Sequence, residues 1–150
     1  MNRYLTLGLF ILLVLGGGTA IGFSTLPGEW YAGLAKPVFN PPNWIFGPVW
    51  TILYVMIAIV GWRLWENHRT STSMKIWWAA LAFNFIWSPV FFGAQMLGVA
   101  LVIILALLAL IYLFIAKTWN LDRISAWLFI PYAAWVSFAT LLNASLWWLN

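Results

Sequence analysis

The chain alternates long uncharged stretches with short clusters that carry its charge. Between Arg3 and Glu29 lie 25 uncharged positions, between Lys36 and Arg63 lie 26, and residues 76 to 116 form an uncharged run of 41. A membrane-spanning helix needs about 20 mostly apolar residues. The first stretch predicts a helix from about Tyr4 to Phe23. The second opens on Pro37, Asn40, Pro41, Pro42 and Asn43, so a loop precedes a helix from about Trp44 to Trp65. Pro48 falls in the first turns of that helix, where its missing N–H costs least. As one helix the third run would be about 60 Å long, twice the hydrocarbon thickness, so it must fold back. Gly93-Ala94-Gln95, just after Ser88-Pro89, is the predicted break, with helices from about Ser73 to Phe92 and from about Met96 to Ala116. A last helix runs from about Ile124 to Trp148, with a kink expected at Pro131. The prediction is an all-α protein: one integral membrane domain over residues 1–150, made of five transmembrane helices. The fourth helix is apolar all round and is expected to face mostly lipid.

Composition supports this reading. Charged residues make up 7% of the chain, against roughly 25% in soluble domains, and the mean hydropathy is +0.94. A water-soluble surface cannot be built from that. Arg3 before an apolar stretch resembles the start of a signal peptide, with Thr19-Ala20-Ile21-Gly22 a weak cleavage candidate. With further spans following, a retained first helix is expected. The net charge of +4 forms no basic run, so nucleic acid is not an expected partner. Arg3, Arg63, Arg69, Lys75, Lys117 and Arg123 fall on one side of the predicted membrane and Lys36 alone on the other. The positive-inside rule then predicts a cytoplasmic N-terminus, with the Leu26–Asn43 loop and the C-terminus outside a bacterial cell membrane.

Several chemistries are excluded. Cysteine is absent, which removes disulfides, thiolate nucleophiles and Cys-ligated metals. The acids are Glu29, Glu66 and Asp122, all in predicted loops or helix ends, and the one histidine, His68, lies in a loop. With no ionisable group near a midplane, ion-coupled transport and intramembrane hydrolysis are not expected. A buried haem iron has no evident axial ligand. No metal site and no obligatory cofactor are expected. A binding pocket survives these exclusions.

The 13 tryptophans point to where such a pocket would lie. Trp and Tyr normally collect at bilayer interfaces, but Trp50, Trp87 and Trp135 fall well inside predicted spans. Phe46, Trp50 and Tyr54 share one helix face at i, i+4 and i+8. Asn84, Trp87 and Ser88 share another, and Trp135, Ala139 and Asn143 a third. If these faces converge they make a cavity with flat apolar walls and a few fixed polar groups. Aromatic core packing, with the amides bonding between helices, is the alternative. Ala139 would keep one wall low. Gly16-Gly17-Gly18 and the Gly18–Gly22 spacing allow close helix approach, within the chain or at a dimer seam, and Ala79, Ala80 and Ala82 offer a second dimer face. The Leu26–Asn43 loop carries Trp30 and Tyr31 and is stiffened by Pro37, Pro41 and Pro42. It reads either as a lid over the cavity or as an interfacial anchor.

These segments together resemble the TspO/MBR family, the tryptophan-rich sensory proteins and the mitochondrial translocator or peripheral-type benzodiazepine receptor. The matching stretches are Trp30-Tyr31-x-x-Leu34-x-Lys36-Pro37, Asn40-Pro41-Pro42-x-Trp44 and Gly47-Pro48-Val49-Trp50-Thr51-x-Leu53-Tyr54, then Phe83-Asn84-x-x-Trp87-Ser88-Pro89-x-Phe91-Phe92-Gly93 and Pro131-Tyr132-x-x-Trp135, with Ala139 and Leu142-Asn143. The resemblance implies five helices, a homodimer, and a pocket beneath the first loop that binds porphyrins such as protoporphyrin IX and haem, and benzodiazepine-site ligands. It implies Trp30, Tyr31, Trp50, Asn84, Trp87, Trp135, Ala139 and Asn143 as ligand-binding residues. It implies a role in tetrapyrrole or stress regulation. Light-dependent porphyrin breakdown, with Trp50 and Trp135 as its candidate catalytic residues, and carriage of apolar molecules are the alternatives. The cholesterol-recognition pattern of the translocator branch is interrupted, since its Tyr and Arg positions hold Ala144 and Trp148, which puts cholesterol binding in doubt.

Overall fold

A computed structural model describes residues 2–150. Five helices in it are long and apolar enough to cross a membrane: Arg3–Ser24, Asn43–Asn67, Thr72–Gly93, Leu97–Thr118 and Arg123–Leu149. No strand occurs among the described residues. The protein is an integral, multi-pass membrane protein. We number these helices as spans one to five.

Span boundaries follow from local chemistry. Asn2 caps span one by accepting from the Tyr4 N–H, Ser71 caps span three at Met74, and Asp122 caps span five at Ser125. Span three does not stop at Pro89. The proline has no N–H to give to the turn behind it, and the helix widens into a π turn over Pro89–Gly93, with Ala94 N–H bonding to Pro89 O. The chain then reverses through Ala94–Met96, with Gln95 in the left-handed region at φ 59°. Span five breaks at Phe129, between Arg123–Leu128 and Ile130–Leu149. Pro131 is the cause again, because it cannot donate to the carbonyl four residues earlier. A second π turn, Leu12–Gly16, interrupts span one.

Span four is apolar all round and leaves most of its surface unburied, yet one stripe of it packs between spans three and five. Ala100, Ile104, Leu107, Ile111, Phe114 and Thr118 recur at helical spacing and are all buried. Uniform hydrophobicity hid that stripe, since lipid and core accept the same side chains. The alanines of span three also divide: Ala80 is buried in the core, Ala79 is half-buried and Ala82 is exposed.

The end of the bundle that carries most of the cations is solid. Trp77 is buried against Gly61, where any Cβ would run into its ring, and its indole N–H donates to Ile57 O at 3.0 Å. Phe114 and Phe129 stack with centroids 4.1 Å apart. Arg63 holds both carboxylate oxygens of Asp122 at 2.9 and 3.1 Å, joining span two to the start of span five. Burial of Asp122 works to raise its pKa, but hydrogen bonds from Arg63 and Ser125 and the guanidinium charge outweigh it. The carboxyl is held below its ordinary value. Arg3, Arg69 and Arg123 lie over the rings of Trp62, Trp65 and Trp119, the placement expected of an interfacial belt.

Candidate functional site: a tryptophan-walled cavity

The opposite end, beneath the Leu26–Asn43 loop, is hollow. A cavity of about 660 Å³ lies between spans one, two, three and five, within the size range of small-molecule sites. No charged side chain lines it.

The three faces expected from helical spacing do converge here. Phe46, Trp50 and Tyr54 come from span two, Asn84, Trp87 and Ser88 from span three, and Trp135, Ala139 and Asn143 from span five. Tyr31 closes the space from the loop. Trp30 does not line it. Its ring instead packs edge-on against Phe91, 6.1 Å between centroids, so it supports the wall from behind. Helix periodicity cannot orient a loop residue, which is why adjacent Trp30 and Tyr31 could not be told apart by spacing.

The amides act between helices, as the packing alternative had it, and the cavity exists as well. Asn143 accepts from Trp87 Nε1 at 3.0 Å and donates to Leu97 O at 3.0 Å, so one side chain ties spans three, four and five. Asn84 Nδ2 donates to the Tyr132 hydroxyl at 2.5 Å. These pairs satisfy groups that would be costly in an apolar interior, and they hold Trp87 and its neighbours at fixed angles. Thr25 and Ser88 share a 2.7 Å hydroxyl contact that joins the end of span one to span three. Among the described residues, two buried side-chain polar atoms have no hydrogen-bond partner, Trp135 Nε1 and Asn40 Oδ1, and both residues border the cavity.

Glycines set the depth of the space. A Cβ at Gly18 would collide with the Tyr54 ring, and one at Gly17 would meet Phe85 at 3.0 Å. The glycine run of span one is therefore used within the chain, letting that helix approach spans two and three closely.

The loop is a structured cover. Glu29–Ala32 forms one helical turn, and Lys36 caps it by donating to the carbonyls of Tyr31, Ala32 and Leu34 while its ammonium sits 4.8 Å from the Tyr31 ring centre. Tyr31 packs on Phe91 and Phe92. Farther on, the Asn150 side chain exchanges two 3.0 Å hydrogen bonds with the backbone of Ala35, and Phe39 rests on Phe138. Phe91, a wall residue that the separate faces did not include, lies four residues after Trp87, so the same helical face extended by one turn contains it.

The sequence pattern of the TspO/MBR family matches residues 10–149. The chain belongs to the TspO/MBR family. It is 42% identical to the tryptophan-rich protein TspO of Archaeoglobus fulgidus, over 93% of this chain and 94% of that one. It is 35% identical to the tryptophan-rich sensory protein of Cereibacter sphaeroides, over 95% and 90% of the two chains. It is 33% identical to the human translocator protein, over 87% and 82%. In this TspO/MBR chain, much of the cavity wall falls in the segments that carry the resemblance, on the loop and on spans two, three and five, while span one adds a wall outside them.

Proposed function

We propose that this protein is a membrane receptor or sensor that binds flat, apolar tetrapyrroles, and ligands of the benzodiazepine-site type, in the cavity under the first loop. One observation carries the reading: Trp50, Trp87 and Trp135, from three different spans, border a single uncharged cavity of about 660 Å³. Planar rings suit such walls because aromatic faces stack with large contact area and fixed geometry. Among the described residues no His, Cys or Met lines the space, so a metal-free porphyrin suits it without further demands, and haem would enter as a flat plate without an imidazole or thiolate on its iron. In this reading the Arg-rich end faces the cytoplasm and the loop faces outward. A homodimer is proposed from the family alone.

Titrating protoporphyrin IX into the detergent-solubilised protein should quench tryptophan fluorescence saturably. Trp50→Phe and Trp135→Phe should each weaken binding about tenfold, corresponding to roughly 1.4 kcal/mol. Binding by both variants equal to that of the parent would remove the cavity assignment.

A second reading, light-dependent breakdown of the bound porphyrin with dioxygen as oxidant, is favoured by one contact set. Trp50 lies 5.4 Å from the Tyr54 ring, also on the cavity wall, and 6.5 Å from that of Tyr132 buried behind it, an oxidisable cluster beside the cavity. Loss of porphyrin absorbance under illumination, beyond that of free porphyrin and abolished in Trp50→Phe, would support it. Equal loss in both would end it.

A further inference from the structure

The cavity has one roofed side and one open side. On the side of spans three and five the cover is fastened by Tyr31 on Phe91 and Phe92, by Phe39 on Phe138, and by the paired hydrogen bonds of Asn150 with Ala35. On the side of spans one and two nothing comparable closes it. These two spans pack together along Arg3–Gly16 and touch at Gly18 against Tyr54, while the Gly17–Ser24 segment of span one otherwise packs on span three. Thr19 and Gly22 of span one, and Gly47 and Thr51 of span two, line the cavity and are also exposed, as are Leu26, Pro27 and Trp44 nearer the loop. Residues that do both form its rim. At Gly22 and Gly47 an added Cβ would meet no heavy atom within 4 Å, so no side chain fills the space beside these two rim positions.

We infer that this gap is a lateral portal, through which an apolar planar molecule dissolved in the bilayer enters the cavity without passing the loop. The inference rests on the reading of the cavity as a ligand site and specifies its route of loading. Depth supports it. Gly22 and Thr19 lie two and five residues before the end of span one at Ser24, about 3 and 7 Å below it at 1.5 Å per residue. That level lies inside the apolar stretch of the span, near the boundary of the hydrocarbon core. The chemistry of the rim agrees. It carries no charge, the Thr51 hydroxyl is returned to Gly47 O at 2.8 Å, and the bare glycine backbone lets a flat ring pass edge-on. A charged or strongly hydrated ligand would find no partner along this path.

The chain lacks cysteine, so one introduced thiol reports the route without any porphyrin. Ala139→Cys places it on the cavity wall. In phosphatidylcholine vesicles, N-(1-pyrenyl)maleimide, which partitions into lipid, should label it at least tenfold faster than a sulfonated maleimide confined to water. Filling the rim with Gly22→Leu and Gly47→Leu should slow the apolar reagent about tenfold, while Asn150→Ala, which unfastens the cover, should leave both rates within twofold. Thr51→Leu with Gly22→Leu serves if the first pair does not fold. The portal is overturned if rim filling leaves the apolar rate unchanged, or if Asn150→Ala accelerates labelling by the sulfonated reagent to match the apolar one. A parent that fails to bind protoporphyrin while keeping this labelling pattern would refute the ligand and leave the portal standing.

Discussion

Trp77 and Trp87 sit ten residues apart on the same span and meet opposite surroundings. Trp77 presses into the notch left by Gly61, its N–H is bound to Ile57 O, and it is buried in the main core. Trp87 also has its N–H satisfied, by Asn143, but one side of its ring borders open space. The difference lies in what the glycines face. Gly61 stands opposite an indole and lets two helices close around it. Gly22 and Gly47 have nothing beside them to fill the space, in the half of the bundle that the long loop covers. A small residue makes a close contact only when something large comes to fill it. Solid packing at one end holds the frame, so polar ties at the other can keep a hollow open.

The sharpest way to break this comparison is to truncate one tryptophan from each half. Trp77→Ala should cost about 3–5 kcal/mol, since it empties a packed site, whereas Trp50→Ala, which enlarges an existing cavity, should cost roughly 1 kcal/mol. Denaturant titration in mild detergent, followed by circular dichroism, separates the two; equal losses would mean the halves are packed alike. The glycines give a finer version. Gly61→Ala should destabilise by about 1–3 kcal/mol through collision with Trp77, while Gly47→Ala should be neutral or slightly stabilising, because it gains helix propensity in open space. Thermal midpoints measured side by side decide this.

The smallest effect concerns pH. The Asp122 carboxyl is held below its ordinary value in the folded protein. Its contribution is therefore complete above the unfolded value of about 4 and is lost as pH falls through the lower folded value. Asp122→Asn should lower stability at pH 7 by about 1 kcal/mol and flatten the acid side of the melting profile. Protoporphyrin binding near neutral pH should not change, since the ion pair lies at the solid end. An unchanged acid slope would show that the Arg63 contact contributes nothing measurable.

Much of this arrangement is legible along the chain. The five spans, the reversal at Gly93–Gln95 and the break near Pro131 follow from run length and proline chemistry, and they agree with the observed helices to within a few residues. The aromatic faces of spans two, three and five are also readable, because helical spacing assigns them without knowledge of neighbours. Span four is where reading by composition leaves a detail out. Its stripe of buried residues is invisible when every position is apolar. Trp30 and Tyr31 could not be distinguished, since a loop has no period to say which ring points inward.

Hydrophobic runs, breakers and helical periods are local properties, so the amino-acid order alone determines how many helices form, where they end and which side chains share a face. Whether the faces meet as a packed core or around a space depends on distances between helices. Those come from long-range contacts: Gly18 against Tyr54, Asn143 joining three spans, and Asn150 fastened to Ala35. No local pattern encodes such pairings, because each energy exists only once the partner has arrived. The hollow, its cover and its open flank belong to the tertiary structure.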